Sequence, residues 1–404
     1  MKEGWEYKTL GECCEKINGL WKGKKEPFVN VGVIRNANFT KEMTLDFSNI
    51  EYLYVEEKQF KTRKLRKGDL IVEKSGGSEK QPVGRAVLFL KEEGDYSFSN
   101  FTSVLRILNK DELLYNFLYK YLLYVYRRGD TKSMQKATTG IHNIEFEKYL
   151  NIQVPIIPMD EQRRIVSYLD SSFKLIDEIK NKALKSLTEA KALFQSALAE
   201  AMEPKEGWEE KTLGEIAKDS ADGPFGSNLK KEHYTSKREV RIIQLSNIGE
   251  NGWREENTKY TTYKHLNTIS RSEVHPGDIV IAKMMPAGRA ILCPEKEKKY
   301  VLSSDAVKIV LKKGYYNRYF LYSINSDYFR IQVYENVSGS GRVRTSLTKL
   351  RNCIVRIPPL PTQKQIVSRL DKLSSKVRAI EEKYQKMVEE CDALKQAMLR
   401  DVFE

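Results

Sequence analysis

The chain has no run of about twenty apolar residues of the kind a membrane-spanning helix needs. Its opening, MKEGWEYKTL, places charges where a secretory leader requires an apolar stretch. A soluble, cytoplasmic protein is expected. Cysteine is scarce and odd in number (Cys13, Cys14, Cys293, Cys353, Cys391), no CxxC pair occurs, and the four histidines (His142, His233, His265, His275) have no ligand spacing beside them. These absences argue against a structural metal and a disulfide framework, and suit reduced thiols. The sequence also lacks a GxxxxGK[ST] phosphate loop, a GxGxxG cofactor turn, HExxH, GxSxG and the Asn/Asp-Pro-Pro-aromatic motif of amino-methyltransferases. The nearest nuclease-like pattern, Asp69 with Glu73 and Lys74, lacks the Glu-x-Lys spacing, and a later copy of the same segment has Asp278, Ala282 and Lys283. It reads as a structural turn. No catalytic residue, metal ligand or cofactor site is expected in this chain, which points to a binding protein and not to an enzyme.

What the sequence has in excess is positive charge: 69 Lys and Arg against 55 Asp and Glu, a formal net charge of +14, with 10% aromatic residues. That combination suits a folded protein that meets a polyanion. At 404 residues the chain is long enough for several cores.

The second excess is self-similarity. EGWEYKTLGE at 3–12 recurs as EGWEEKTLGE at 206–215 with nine of ten letters identical. In the same order KGDLIVEK answers PGDIVIAK, PVGRAVL answers PAGRAIL, and NIQVPIIPMDEQRRIVSYLD answers NCIVRIPPLPTQKQIVSRLD. A period near half the chain is duplication of a whole domain, far beyond the 20 to 50 residues of solenoid repeats. Each copy opens with short β-rich stretches (DLIVEKS, GRAVLFL, TSVLRIL; DIVIAKM, GRAILC, AVKIVL) between Gly, Pro and Asn breaks. One helical segment follows, LLYNFLYKYLLYVYRRG or YNRYFLYSINSDYFRIQ, whose aromatic stripe reads as core packing.

After Pro155 and Pro158, and again after Pro358, Pro359 and Pro361, the pattern changes to a helix about forty residues long. In the second copy the apolar seam is Ile366, Leu370, Leu373, Val377, Ile380, Tyr384, Met387, Cys391, Leu394 and Met398, in heptad steps of four and three. In the first it is Ile165, Leu169, Phe173, Ile176, Ala183, Leu187, Ala190, Phe194, Ala197 and Ala201. The expected boundaries are a globular domain at 1–155, a helix at 156–203, a second globular domain at 204–357 and a second helix at 358–404. The fold class is α+β: two similar mostly-β domains, each with a short helical segment and a following long helix. A forty-residue helix is about 60 Å long, so the second must run back along the first for both seams to be covered within one chain. The expectation is an antiparallel coiled coil with approximate two-fold symmetry.

The helices are electrically neutral. Residues 160–203 hold seven Lys or Arg against eight Asp or Glu, and 362–404 nine against eight. The positive charge therefore belongs to the globular domains. Mixed-sign helix faces also disfavour a membrane-surface role. Candidate contact residues lie in basic, polar, Gly-rich segments: Lys22, Lys24 and Lys25; Arg63, Lys64 and Arg66; Lys74, Ser75 and Lys80; Thr138, Thr139 and His142. In the second copy they are Ser227, Asn228 and Lys230, then Lys283, then Ser340, Arg342 and Arg344. Lys and Arg suit phosphates, whereas Arg, Asn, Gln, Ser and Thr suit base edges.

These segments resemble the specificity subunit of type I restriction-modification systems. The resemblance is carried by GWEYKTLGE opening each half, DGPFGSNLKKEHY, KGDLIVEKSGG, and IPMDEQRRIVSYLD or LPTQKQIVSRLD entering each long helix, and it covers essentially the whole chain. It implies two target recognition domains, each reading half of a split site in double-stranded DNA. It also implies that the helical regions bind two methyltransferase subunits and set the half-site spacing. Adenine methylation with S-adenosylmethionine, and ATP- and magnesium-dependent cutting by restriction subunits, would reside in those partners. The first domain departs from the pattern, having INGLWKGKK where the second has DGPFGSN. Two other readings stand beside this one. One is a scaffold that self-associates through its helices and binds RNA or acidic proteins; the other is a fused restriction enzyme, against which length and missing motifs count.

Overall fold

The computed structural model describes residues 4–404 apart from 22, 24, 80, 139–140 and 336–343, and for Thr138 the backbone alone. The chain forms two compact units, Met1–Leu184 with Lys386–Glu404, and Lys185–Gln385. Among the described residues no helix is long and apolar enough to cross a membrane.

The repeated TLGE is a capping box. Thr9 Oγ1 accepts from the Glu12 N–H at 3.2 Å, while Glu12 Oε2 accepts from the Thr9 N–H at 2.7 Å, starting the helix Leu10–Cys13. Thr212 and Glu215 repeat this at Leu213–Ile216. Such reciprocal bonds satisfy two backbone donors that a helix start leaves open. The strand before each box pairs antiparallel with the proline-marked strand, Glu6↔Ile156 in the first unit and Glu209↔Ile357 in the second.

Each unit then builds the same four-stranded antiparallel sheet. In the first the order is Cys14–Asn18, Thr102–Ile107, Leu70–Glu73, Ala86–Leu88; in the second it is Ala217–Asp222, Ala306–Leu311, Ile279–Ala282, Ala290–Leu292. The inner strands are mostly apolar and buried on both faces, with Glu73, Arg106 and Lys308 as charged members held in ion pairs. A second sheet carries a parallel pair in each unit, Phe28–Ile34 beside Tyr96–Phe98 and Val240–Ile243 beside Tyr300–Leu302. The aromatic segment is one helix, Tyr115–Arg128, in the first unit, but in the second it divides into Asn317–Asn325 and Asp327–Glu335, where Ser326 bonds back to Ser323 O. Its stripe is core: Phe117, Leu118, Tyr121, Leu122 and Val125 are buried.

The long helices are Met159–Ala201 and Leu360–Phe403. Each begins by packing on its own globular domain, through Ile165, Val166, Leu169 and Phe173 or through Ile366, Val367 and Leu370. The end of each packs into the other core. Leu198 and Met202 join the second core, while Leu399, Val402 and Phe403 join the first. Phe403 lies 5.2 to 5.7 Å from the rings of Phe117, Tyr121 and Tyr124. Within the first unit Lys180 meets Asp392 at 2.7 Å and Asp177 meets Lys395, so the pairing is antiparallel. Within the second, Glu200 meets Arg369 at 3.1 Å.

On the first helix the expected seam positions are all shielded, the early ones within the first globular core. Ile165, Leu169, Phe173, Ile176, Ala183 and Ala190 are buried, and Leu187, Phe194, Ala197 and Ala201 are half-buried. The second needs correction. Leu370, Val377 and Cys391 are buried and Ile366, Leu373, Tyr384, Met387 and Met398 half-buried, but Ile380 is 40% and Leu394 51% exposed. The buried flank is displaced by one residue, running through Glu381, Val388, Lys395 and Val402. Lys395 occupies the seam by laying its stem along the interface, its ammonium paired with Asp177 and 5.2 Å from the Phe173 ring centroid.

Candidate nucleic-acid interface

In each unit the two sheets meet at a glycine. A Cβ on Gly19 would stand 1.9 Å from Ser99 O, and one on Gly223 would stand 1.7 Å from Ser303 O. Only glycine fits that approach. Two residues on, Trp21 (63% exposed) and Phe225 (82% exposed) stand at equivalent places. The serine beside each glycine also anchors the parallel strand: Ser99 N–H donates to Ile34 O and Ser303 N–H to Ile243 O, both at 2.9 Å. Residues 18–21 and 222–225 thus leave the sheet in the same way.

The parallel strand ends in a turn held by a buried asparagine. Asn38 Oδ1 accepts from the Arg35 N–H at 2.9 Å and its amide donates to Asp46 O and Asn49 O. Asn247 does the same for the Gln244 N–H at 2.9 Å and for Arg254 O and Glu256 O. The residue presented at this turn is Arg35 in one unit and Gln244 in the other. Arg35 Nη1 pairs with Glu51, but its Nε is buried without a hydrogen-bond partner, as is Gln244 Oε1. Arg and Gln are side chains that read bases in pairs of bonds. Sequence reasoning missed both, although the N-x-N and S-N spacing after each strand was a usable turn signal.

Around this turn the first unit gathers several expected residues. Ser75 is buried in the strand Ser75–Gly77, its carbonyl accepting from the Asn36 amide. That strand pairs with Ile141–Ile144, placing His142 opposite Gly77. His142 Nδ1 and Asn36 Oδ1 are buried without partners. The backbone of Thr138 pairs with Ile141 in the same hairpin. Lys74 is half-buried beside them. In the second unit Arg344 bridges to Met284 and pairs with Asp305.

Other expected residues are placed apart or already engaged. Arg63 Nε donates to Asn18 O at 3.0 Å, Lys64 pairs with Asp95 at 2.7 Å, and Arg66 is exposed. Lys25 is exposed, with its N–H on Glu56. Ser227 Oγ donates to Asn228 Oδ1 at 3.2 Å, and the Lys230 N–H donates to His233 Nδ1 at 3.0 Å, so these side chains sit on an exposed loop. Lys283 is buried, 2.6 Å from Asp222 Oδ1, and is not a free contact residue. Lys22, Lys24, Lys80, Thr139, Ser340 and Arg342 lie outside the described residues.

The acid pair that resembled a nuclease is committed to internal bonds. Glu73 takes Arg85 through two bonds of 2.8 and 2.9 Å, and Asp69 takes Arg106 through bonds of 2.7 and 2.8 Å. Burial pushes the thiols of Cys13 and Cys353 up to about 11 and that of Cys14 up to about 12, the wrong direction for a nucleophile. Among the described residues no group of three or more His, Cys, Asp and Glu is placed to hold a metal.

A family model described as the type I restriction modification DNA specificity domain matches residues 2–189 and again 205–390. The chain is 22% identical over 302 residues to the MjaVIII type I specificity subunit of Methanocaldococcus jannaschii, covering 71% of this chain and 69% of that one. It is 21% identical to the StySPI specificity subunit of Salmonella potsdam, over 100% and 89% of the two chains. In fold it is similar to a chain from a structural study of type I system assembly and conformational transition, with TM-score 0.76, 18% identity and coverage of 100% and 98%. It is also similar to the HsdS subunit of Thermoanaerobacter tengcongensis, with TM-score 0.52, 17% identity and coverage of 100% and 97%.

Proposed function

Because the chain belongs to the type I restriction-modification DNA specificity family, with one copy of the family domain in each half, we propose that it reads a bipartite site in duplex DNA, one half-site per unit. It is the non-catalytic, cytoplasmic subunit that directs adenine methylation and restriction by its partners. Two methyltransferase subunits would dock on the helical regions, with restriction subunits joining them. S-adenosylmethionine, ATP and magnesium would be used in those partners.

One observation carries this reading. The two units repeat the four-stranded sheet, the parallel strand pair, the caps and the glycine crossing, yet at the equivalent turn one presents Arg35 and the other Gln244. A repeated scaffold with different readers suits two unlike half-sites joined in one target. Within each unit the two long helices pair with one another and cover much of their apolar flanks, which leaves less reason to invoke a self-associating scaffold. Expression with a methyltransferase partner, followed by mapping of methylated adenines, should give one split motif with unlike halves. Methylation without such a motif would refute the reading.

A further inference from the structure

Two lysines occupy equivalent positions with opposite electrostatic surroundings. The sheet register fixes the equivalence. In the first unit Asn18 pairs with Ser103, and Ser103 with Val72, two residues before Lys74. In the second, Asp222 pairs with Val307, and Val307 with Ile281, two residues before Lys283. The next contact repeats as well: Ile144 N–H donates to Lys74 O at 2.8 Å and Thr345 N–H to Lys283 O at 2.9 Å.

Lys283 is neutralised from within, its Nζ 2.6 Å from Asp222 Oδ1. At the matching place in the first unit stands Asn18, which has no charge, and among the described residues no ion pair reaches Lys74. Lys74 is nevertheless half-buried. Desolvation lowers the pKa of its ammonium and the positive charge of Lys16 lowers it further. A half-desolvated cation beside another cation is unfavourable until an anion arrives. The surroundings suit such an arrival: the neighbouring hairpin carries His142 with an unpartnered Nδ1, and the Arg35 turn abuts the same strand through Asn36. An ammonium is a compact point charge, matched to a phosphate oxygen.

We propose that Lys74 binds a DNA phosphate at one half-site, and that Lys283 makes no such contact because its charge is spent on Asp222. This rests on the chain's reading DNA, as argued above.

The test uses the full chain reconstituted with its methyltransferase partner and a duplex carrying the selected split site, with affinity measured across a salt series. Lys74→Met should weaken binding about fivefold at about 0.15 M salt and flatten the plot of log affinity against log salt by about one. The loss should be the same for every half-site sequence. Lys74→Arg should keep the slope. Asn18→Asp, which installs the acid that Asp222 provides in the other unit, should reproduce the Lys74→Met slope with the lysine still present. Lys283→Met should leave the slope unchanged. An unchanged slope in Lys74→Met or Asn18→Asp overturns the proposal, as does a loss that follows one base pair, which would make Lys74 a base reader. A flattened slope in Lys283→Met overturns the asymmetry. If the unsubstituted complex prefers no split duplex at all, the underlying reading fails instead and takes the proposal with it.

Discussion

The glutamine of the repeated helix-entry motif gives the most demanding test of how each unit is held together. Gln162 is buried; its Oε1 accepts from the Leu114 N–H at 2.9 Å and its Nε2 donates to Glu112 O and Ile157 O at 2.8 Å each. Leu114 is the N-cap of the aromatic helix and offers no side-chain cap of its own, so the long helix supplies one. In the second unit Gln363 accepts from the Tyr316 N–H at 3.1 Å and donates to Pro358 O at 2.9 Å, two bonds instead of three. Replacing either by Leu keeps most of the volume and strands the backbone partners. Each buried polar group left unmet costs about 1–3 kcal/mol, with carbonyls at the lower end because they have a second lone pair. Gln162→Leu should therefore cost about 4 kcal/mol and Gln363→Leu about 3 kcal/mol. Native-state hydrogen exchange read by mass spectrometry separates the units. For Gln162→Leu, protection across Tyr115–Arg128 should fall roughly a thousandfold, while Asn317–Asn325 changes far less; Gln363→Leu should reverse the pattern. A fall of less than tenfold at Tyr115–Arg128, or an equal response in both segments, would refute the cap argument.

Lys395→Met should stay within about 1 kcal/mol of the parent, because an apolar chain of similar length fills the seam and the half-exposed Asp177 carboxylate is left in water, whereas Lys395→Ala should lose about 2–3 kcal/mol to the gap it leaves. Thermal unfolding would settle this, and a large loss in Lys395→Met would show that the charge, not the stem, holds the seam. Removing one heptad from both long helices shortens each by about 10 Å and should change the preferred spacer of the site; selection from random DNA returning the original spacer would exclude a ruler role. Arg35→Gln should alter base preference in one half-site by about 1–3 kcal/mol and leave the other alone, which the methylated motif would report; an unaltered motif would remove Arg35 from the readers.

The duplication, the sheet-forming runs and the starts of the long helices were legible because they depend on local letters: repeated words, apolar runs and proline. The phase of the second seam was not. Choosing apolar letters at heptad steps selected Ile380 and Leu394, yet the helix turns Glu381 and Lys395 inward, since a long charged stem covers apolar surface and a straight helix drifts from a strict seven-residue repeat. The role of Gln162 was hidden because its partners at Glu112 and Leu114 lie some fifty residues away. The lysines show the same limit more sharply. Lys74 and Lys283 are one letter in one motif, and what separates them is Asn18 against Asp222, brought beside them across two strand pairings.

These contrasts sort the equivalent positions into two kinds. Asn38 and Asn247, Gln162 and Gln363, and Gly19 and Gly223 are identical in the two units, and the bonds or close approaches they make end on internal backbone. Changing one strands buried groups or forces a clash, so the cost falls on folding. Arg35 and Gln244, Trp21 and Phe225, and Asn18 and Asp222 differ between the units, and no backbone cap or sheet crossing depends on which side chain stands there. Exchange at those places alters what the surface meets while leaving the backbone caps and sheet crossings intact, although Asp222 also carries the ion pair to buried Lys283. A duplicated domain arranged this way can change one half-site without disturbing the other, because the groups that vary are not the groups that hold it folded.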